Sequence, residues 1–164
     1  NGMLAPKLGF LLNNEMDDFS AKPGVPNAYG LIGNEKNSIE PKKRMLSSMT
    51  PTIVFRNDKP FIITGSPGGS KIITTVLQVI LNVVDHDMTI RDAVSAKRFH
   101  HQGKPDYLFV EKGFPKETIK ELNEKGFVIK EVGSIGSAQS ITRDEETILG
   151  AADPRKKNAS ALGL

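Results

Sequence analysis

The sequence predicts an α+β fold with a largely antiparallel sheet. Short apolar runs of strand length come in hairpin-like pairs, and helical patterns cluster between those pairs. One helical pattern, residues 72–84, is apolar nearly all round. It follows directly on a strand through the stretch Gly65-Ser66-Pro67-Gly68-Gly69-Ser70.

The elements follow in order. Residues 9–13 read as a strand. Residues 20–45 carry Pro23, Pro26 and Pro41 among glycines and asparagines and read as one long loop, a feature that in compact domains tends to be functional. Residues 52–55 and 61–64 are strands, and Arg56-Asn57-Asp58-Lys59 between them is turn chemistry, which makes a hairpin. Apolar residues at 72, 73, 76, 77, 80, 83 and 84 are spaced for a helix, although many are β-branched. Thr89 with Asp92 resembles a capping box opening a short helix through Ala96. Residues 116–125 form an amphipathic helix, with Pro115 at its start and Gly126 at its close. Residues 108–110, 127–132, 139–142 and 147–151 are strands. The whole of 1–164 reads as a single domain.

Composition narrows the function. The chain of 164 residues is 38% hydrophobic and 25% charged, which is a globular balance. The net charge of +3 is modest and its basic residues are scattered, so no nucleic-acid surface is expected. There is no cysteine, which removes disulfides, zinc–thiolate sites and thiol catalysis. The longest apolar run is too short to span a membrane. The chain begins at Asn1 without a signal peptide, as expected of a processed or trimmed piece of a longer polypeptide.

Four stretches carry candidate chemistry, each beside a plainer reading. In Gly65–Ser70, glycine lets backbone N–H groups approach a ligand, and the helix that follows adds its free N–H groups and positive dipole end. That makes an anion cradle or, equally, a tight turn; it lacks P-loop spacing. Glu15, Asp17 and Asp18 cluster at a strand end and could hold a cation or an ammonium group; the commoner reading is an Asx turn. Ser47 and Ser48 precede a strand and could donate to a carboxylate, or serve only as turn serines. His100 and His101 are adjacent, so they diverge, and they are read as structural with no metal. Together, an ammonium site, a carboxylate site and an anion cradle suit an α-amino acid head group with an oxyanion at its far end. No Ser-His-Asp pattern supplies a nucleophile.

Five motifs in order, LLNNEMDDFSAKPGVPNAYGL, KRMLSSMTPTIV, GSPGGSKIITTVLQVILN, RFHHQ and AADPRK, closely resemble the small subunit of bacterial γ-glutamyltranspeptidases. The resemblance runs from Asn1 to about Arg155. It implies an N-terminal nucleophile hydrolase fold, an αββα sandwich shared by two subunits cut from one precursor. It further implies a nucleophilic Thr, activated by its own α-amine, at the start of the small subunit. The segment of roughly two dozen residues that would carry that Thr is not in this sequence. Thr50, Thr52 and Thr64 cannot replace it, because none has a free α-amine. By the same resemblance, Glu15 and Asp18 bind the α-ammonium of a γ-glutamyl donor. Ser47 and Ser48 bind its α-carboxylate, with an Arg from the large subunit. Gly68 and Gly69 form the oxyanion hole, and Tyr29 is the lid residue of the 20–45 loop. Met45, Lys97 and Gly103 depart from the family pattern outside that pocket.

The implied activity is hydrolysis of glutathione and γ-glutamyl transfer to water or an amine, without a cofactor. The implied partner is the large subunit, in a heterodimer or a dimer of heterodimers, in the periplasm or secreted. The chain alone is expected to be inactive. A related acylase of the cephalosporin or poly-γ-glutamate type, and a non-catalytic module of the same fold, are the alternatives.

Overall fold

The computed structural model describes residues 2–163. The chain falls into two compact units, Asn1–Ser48 and Met49–Leu164.

The first unit is mostly turns. Its strands are brief: β1 (Leu4–Ala5) pairs antiparallel with β2 (Phe10–Leu11), so the strand expected over residues 9–13 shrinks to the two residues that find a partner. A 3₁₀ turn, Glu15–Asp18, follows, and the expected Asx turn opens it, the Asn13 side-chain oxygen accepting the Glu15 N–H at 3.2 Å. The 20–45 loop is not structureless. It contains a second 3₁₀ turn, Glu35–Asn37, whose cap residue Asn34 accepts the Lys36 N–H at 3.0 Å. Isolated bridges join Ser20 to Ser38 and Pro26 to Ile32. Such side-chain caps are what Asn-rich loops use in place of ladder bonds.

The second unit holds the core. An antiparallel sheet runs in the order β3 (Thr52–Arg56), β4 (Lys59–Gly65), β8 (Gln139–Arg143), β9 (Ile148–Ala152). The predicted β3–β4 hairpin is present, and Asn57 and Asp58 both take positive φ (50° and 59°), as a two-residue hairpin turn with strand-matching twist requires. Helices α1 (Ile72–Val84) and α2 (Ile90–Ser95) close one face of this sheet, with Ile62, Val79, Val83, Ile90, Ala93, Val94, Ala138 and Ala151 packed together. On the other face Ile53, Phe55, Ile63 and Ile141 stay exposed. Thr89 caps α2, its hydroxyl accepting the Asp92 N–H at 3.2 Å and donating to the Asp92 carboxylate at 2.7 Å.

The expectation of a largely antiparallel sheet holds among the described residues, with one exception in a second sheet. β5 (Phe99–His100) is antiparallel to β6 (Leu108–Glu111), but β6 runs parallel to β7 (Ile129–Val132). The crossover between them carries α3 (Lys116–Glu124), which a parallel connection needs. β7 starts two residues later than the predicted 127: the Phe127 N–H still bonds the Leu122 carbonyl of α3 at 3.1 Å, while the Val128 carbonyl already accepts the Leu108 N–H at 2.9 Å. Among the described residues no helix is long and apolar enough to cross a membrane.

Candidate functional site

In the first unit the predicted carboxylate and hydroxyl meet. The Ser48 hydroxyl reaches both oxygens of Asp18, at 3.1 and 3.0 Å, across 30 residues of sequence. Asp18 ends the 3₁₀ turn that Glu15 begins, so the two acids lie one turn apart, Glu15 exposed and Asp18 half-buried. Ser47 is exposed beside Ser48.

Asn37 holds this arrangement, and sequence reasoning missed it. Its side-chain amide donates to the Asp18 carbonyl at 2.7 Å, and its side-chain oxygen accepts the Leu46 N–H at 2.9 Å. One side chain therefore spans the acidic turn and the segment leading to Ser47 and Ser48. Its own carbonyl also accepts the Ser20 N–H at 2.8 Å. Asn among other turn residues gives no local sign of such a role. Close packing supports it, since a Cβ on Gly33 would sit 1.9 Å from the Ser20 Oγ.

Tyr29 rides on a tight turn organised by Asn27. The Asn27 side-chain oxygen accepts the N–H groups of Tyr29 and Leu31, at 2.9 and 3.0 Å, and the Asn27 N–H donates to the Leu31 carbonyl at 2.9 Å. The Tyr29 ring is half exposed.

Gly68 and Gly69 belong to the second unit. Both have positive φ, 148° and 57°, values that favour glycine. The chain then makes a 3₁₀ turn, Gly69–Lys71, that runs straight into α1, so N–H groups at this start have no acceptor within the helix. The Ser66 hydroxyl accepts the Ser137 N–H at 2.8 Å and donates to the Pro67 carbonyl at 2.7 Å.

Behind this loop lies a buried charge network that the sequence did not disclose. Arg98 pairs with Asp153 at 2.8 Å, and Arg155 pairs with Glu111 through Nη2 at 2.5 Å and Nε at 2.6 Å. Arg98, Glu111 and Asp153 are each 2% exposed or less. Burial pushes the Glu111 carboxyl up, but hydrogen bonds from Arg155 and from the N–H groups of Arg98 and Ile135 outweigh it and leave it below its ordinary value. Asp153 is likewise lowered against its burial, by the Arg155 N–H, the Arg98 guanidinium and the Ala138 N–H. His100 is structural, as expected: it is buried, with Nδ1 2.8 Å from the Thr74 hydroxyl and Nε2 2.9 Å from the Gln102 side-chain oxygen.

Comparison with known proteins follows the same lines. The sequence model of the gamma-glutamyltranspeptidase family matches residues 1–163. The glutathione hydrolase proenzyme of Escherichia coli K12 is 53% identical over 163 residues, 99% of this chain and 28% of that protein. The glutathione hydrolase proenzyme of Pseudomonas aeruginosa is 44% identical over 166 residues, 99% of this chain and 30% of that protein. The chain thus spans under a third of the length of these relatives.

Two solved structures agree. The Helicobacter pylori gamma-glutamyltranspeptidase superposes with a TM-score of 0.89 at 52% identity, covering 94% of this chain and 86% of that one. The enzyme of Pseudomonas nitroreducens gives 0.90 at 40% identity, covering 99% and 86%. The expected α+β, N-terminal nucleophile hydrolase fold is the one these structures share with this chain. With a matched family model from end to end and relatives at this identity, the chain belongs to the γ-glutamyltranspeptidase family.

Proposed function

We propose that the protein containing this chain hydrolyses glutathione and transfers γ-glutamyl groups to amine acceptors. The observation that carries the reading is the Ser48 hydroxyl set against the Asp18 carboxylate. A carboxylate and a hydroxyl in contact are complementary to the ammonium and carboxylate on one α-carbon. When the substrate ammonium takes the Asp18 oxygens, the Ser48 proton is released from them and can turn to the substrate carboxylate. Glu15 adds negative charge one turn away, and Ser47 adds a second hydroxyl. Tyr29, on its Asn27-ordered turn, is the lid residue in this reading.

The reaction then has two halves. A Thr hydroxyl, supplied by the remainder of the precursor, attacks the γ-carbonyl while its proton passes to the α-amine of that Thr. The carbonyl oxygen becomes an oxyanion, which the N–H groups of Gly68 and Gly69 stabilise. Collapse breaks the γ-amide, the leaving amine takes the proton, and an ester remains. Water or an amine attacks that ester by the reverse path. The partner is the large subunit of the same proenzyme, and the compartment is periplasmic or extracellular.

A related acylase is the second reading, because a cephalosporin acylase of Bacillus halodurans has a similar structure, with a TM-score of 0.76 at 28% identity over 90% of this chain. The Asp18–Ser48 contact favours a free α-amino acid head group instead. Competition decides: full-length protein should release amine from a γ-glutamyl anilide, and free L-glutamate should inhibit it. Equal rates on a glutaryl anilide, which lacks the α-ammonium, would support the acylase.

A further inference from the structure

The residues 135–138 make a turn whose backbone is gripped by the buried charges. The Ile135 N–H goes to Glu111 Oε1 at 2.8 Å, and the Ile135 carbonyl takes Arg98 Nη1 at 2.9 Å. The Ala138 N–H goes to Asp153 Oδ2 at 2.7 Å. Between these grips lies Gly136, at φ +66°.

Gly136 packs directly on the glycine loop. A Cβ built on Gly68 would lie 3.5 Å from the Gly136 Cα. A Cβ on Gly136 would lie 2.4 Å from Thr75 Oγ1, 2.8 Å from Thr75 Cγ2 and 2.9 Å from Ser66 Oγ. Thr75 is fully buried on α1, β-branched and stiff, and its hydroxyl has no hydrogen-bond partner among the described residues. It cannot swing aside, so an added methyl must move the turn or the loop. Next to it, Ser66 ties loop and turn together through the Ser137 N–H.

We propose that Gly136 and Ser66 are positioning residues for the Gly68–Gly69 loop: the charge-anchored turn 135–138 sets where the loop's N–H groups aim. This rests on the reading of those N–H groups as the oxyanion hole. Bringing the 2.4 Å contact back to an ordinary 3.4 Å needs a shift of about 1 Å, and misplacement on that scale lowers turnover by as much as ~100-fold. Oxyanion donors act on charge that develops only as the carbonyl is attacked, so substrate affinity should change little.

The test uses full-length protein, with Gly136→Ala, Ser66→Ala and Ser66→Thr compared as folded, matured enzyme on a γ-glutamyl anilide. Gly136→Ala should lower kcat about tenfold or more with KM within about threefold of the parent. Ser66→Ala should lower kcat severalfold, and Ser66→Thr, which keeps the accepting hydroxyl, should recover most of it. If Gly136→Ala does not mature, the Ser66 pair decides alone. Parent-like kcat in the variants that mature, or a KM that rises in step with the fall in kcat, overturns the proposal. Gly69→Val, run alongside, separates the two ideas. A normal rate there overturns the oxyanion reading and this proposal with it. A slow Gly69→Val enzyme beside normal Gly136→Ala and Ser66→Ala overturns the positioning role alone.

Discussion

Replacing Glu111 by Gln keeps the shape of the side chain and removes its charge. Glu111 accepts four N–H groups: Arg155 Nε at 2.6 Å and Nη2 at 2.5 Å, the Arg98 N–H at 3.0 Å and the Ile135 N–H at 2.8 Å. Each oxygen serves two of them, so whichever one becomes an NH₂ group leaves two buried donors facing a donor. Unmet buried donors cost about 1–3 kcal/mol each, and removing one member of a buried ion pair costs about 3–5 kcal/mol. Asp153 still faces Arg155 at 3.1 Å, which argues for the lower end, about 3 kcal/mol. At ~4 °C per kcal/mol for a folding unit of this size, the transition that unfolds this unit should drop by about 10 °C. Scanning calorimetry of the matured full-length protein reads this directly. A Tm within about 2 °C of the parent would refute the reasoning, because a network worth so little could not anchor the 135–138 turn.

Three further outcomes are expected. Because Glu111 and Asp153 both sit below their ordinary values of 4.5 and 3.8, their stabilisation is complete above those values and is lost as pH falls through the lower, folded ones; melts from pH 7 to pH 3 should be flat and then drop, less steeply in Glu111→Gln, and an identical acid limb in both proteins would contradict this. Asp18→Ala should raise KM for a γ-glutamyl anilide by about 100-fold or more, since the substrate ammonium loses its charged partner, and parent kinetics would remove Asp18 from the site. Asn37→Ala should raise KM by a smaller factor while sparing kcat, because it frees the Asp18 carbonyl and the Leu46 N–H without touching substrate; a kcat-only effect would contradict the head-group reading.

What could be read from the chain depended on how local each cause was. α1 was legible because its apolar spacing is set within one helix, and the β3–β4 hairpin because Asn57-Asp58 is turn chemistry in two adjacent residues. The parallel β6–β7 pair was not, since strand direction depends on where α3 delivers the chain, and the short runs carry no mark of it. At the site, the types of Asp18 and Ser48 suggested complementary roles, but Asn37 was one asparagine among many. The charge network left no local pattern at all. Arg98 opens the run RFHHQ, whose histidines read as structural and whose arginine carries no local sign of a partner, and Glu111 and Arg155 meet across 44 residues. The cause at Gly136 is equally distant in sequence, since the groups packed against it are Thr75 and Ser66.

Turnover as proposed, with Asp18 and Ser48 holding the head group and the Gly68–Gly69 loop the oxyanion, passes through a covalent γ-glutamyl adduct. Mass spectrometry of the full-length, matured protein, acid-quenched during turnover of a γ-glutamyl anilide, tests it most directly. A species heavier by one γ-glutamyl group is expected, abundant in the parent and strongly reduced in both Asp18→Ala and Gly69→Val. A folded, matured protein that forms no such adduct and releases no amine, or one whose adduct is undiminished in both variants, would contradict it.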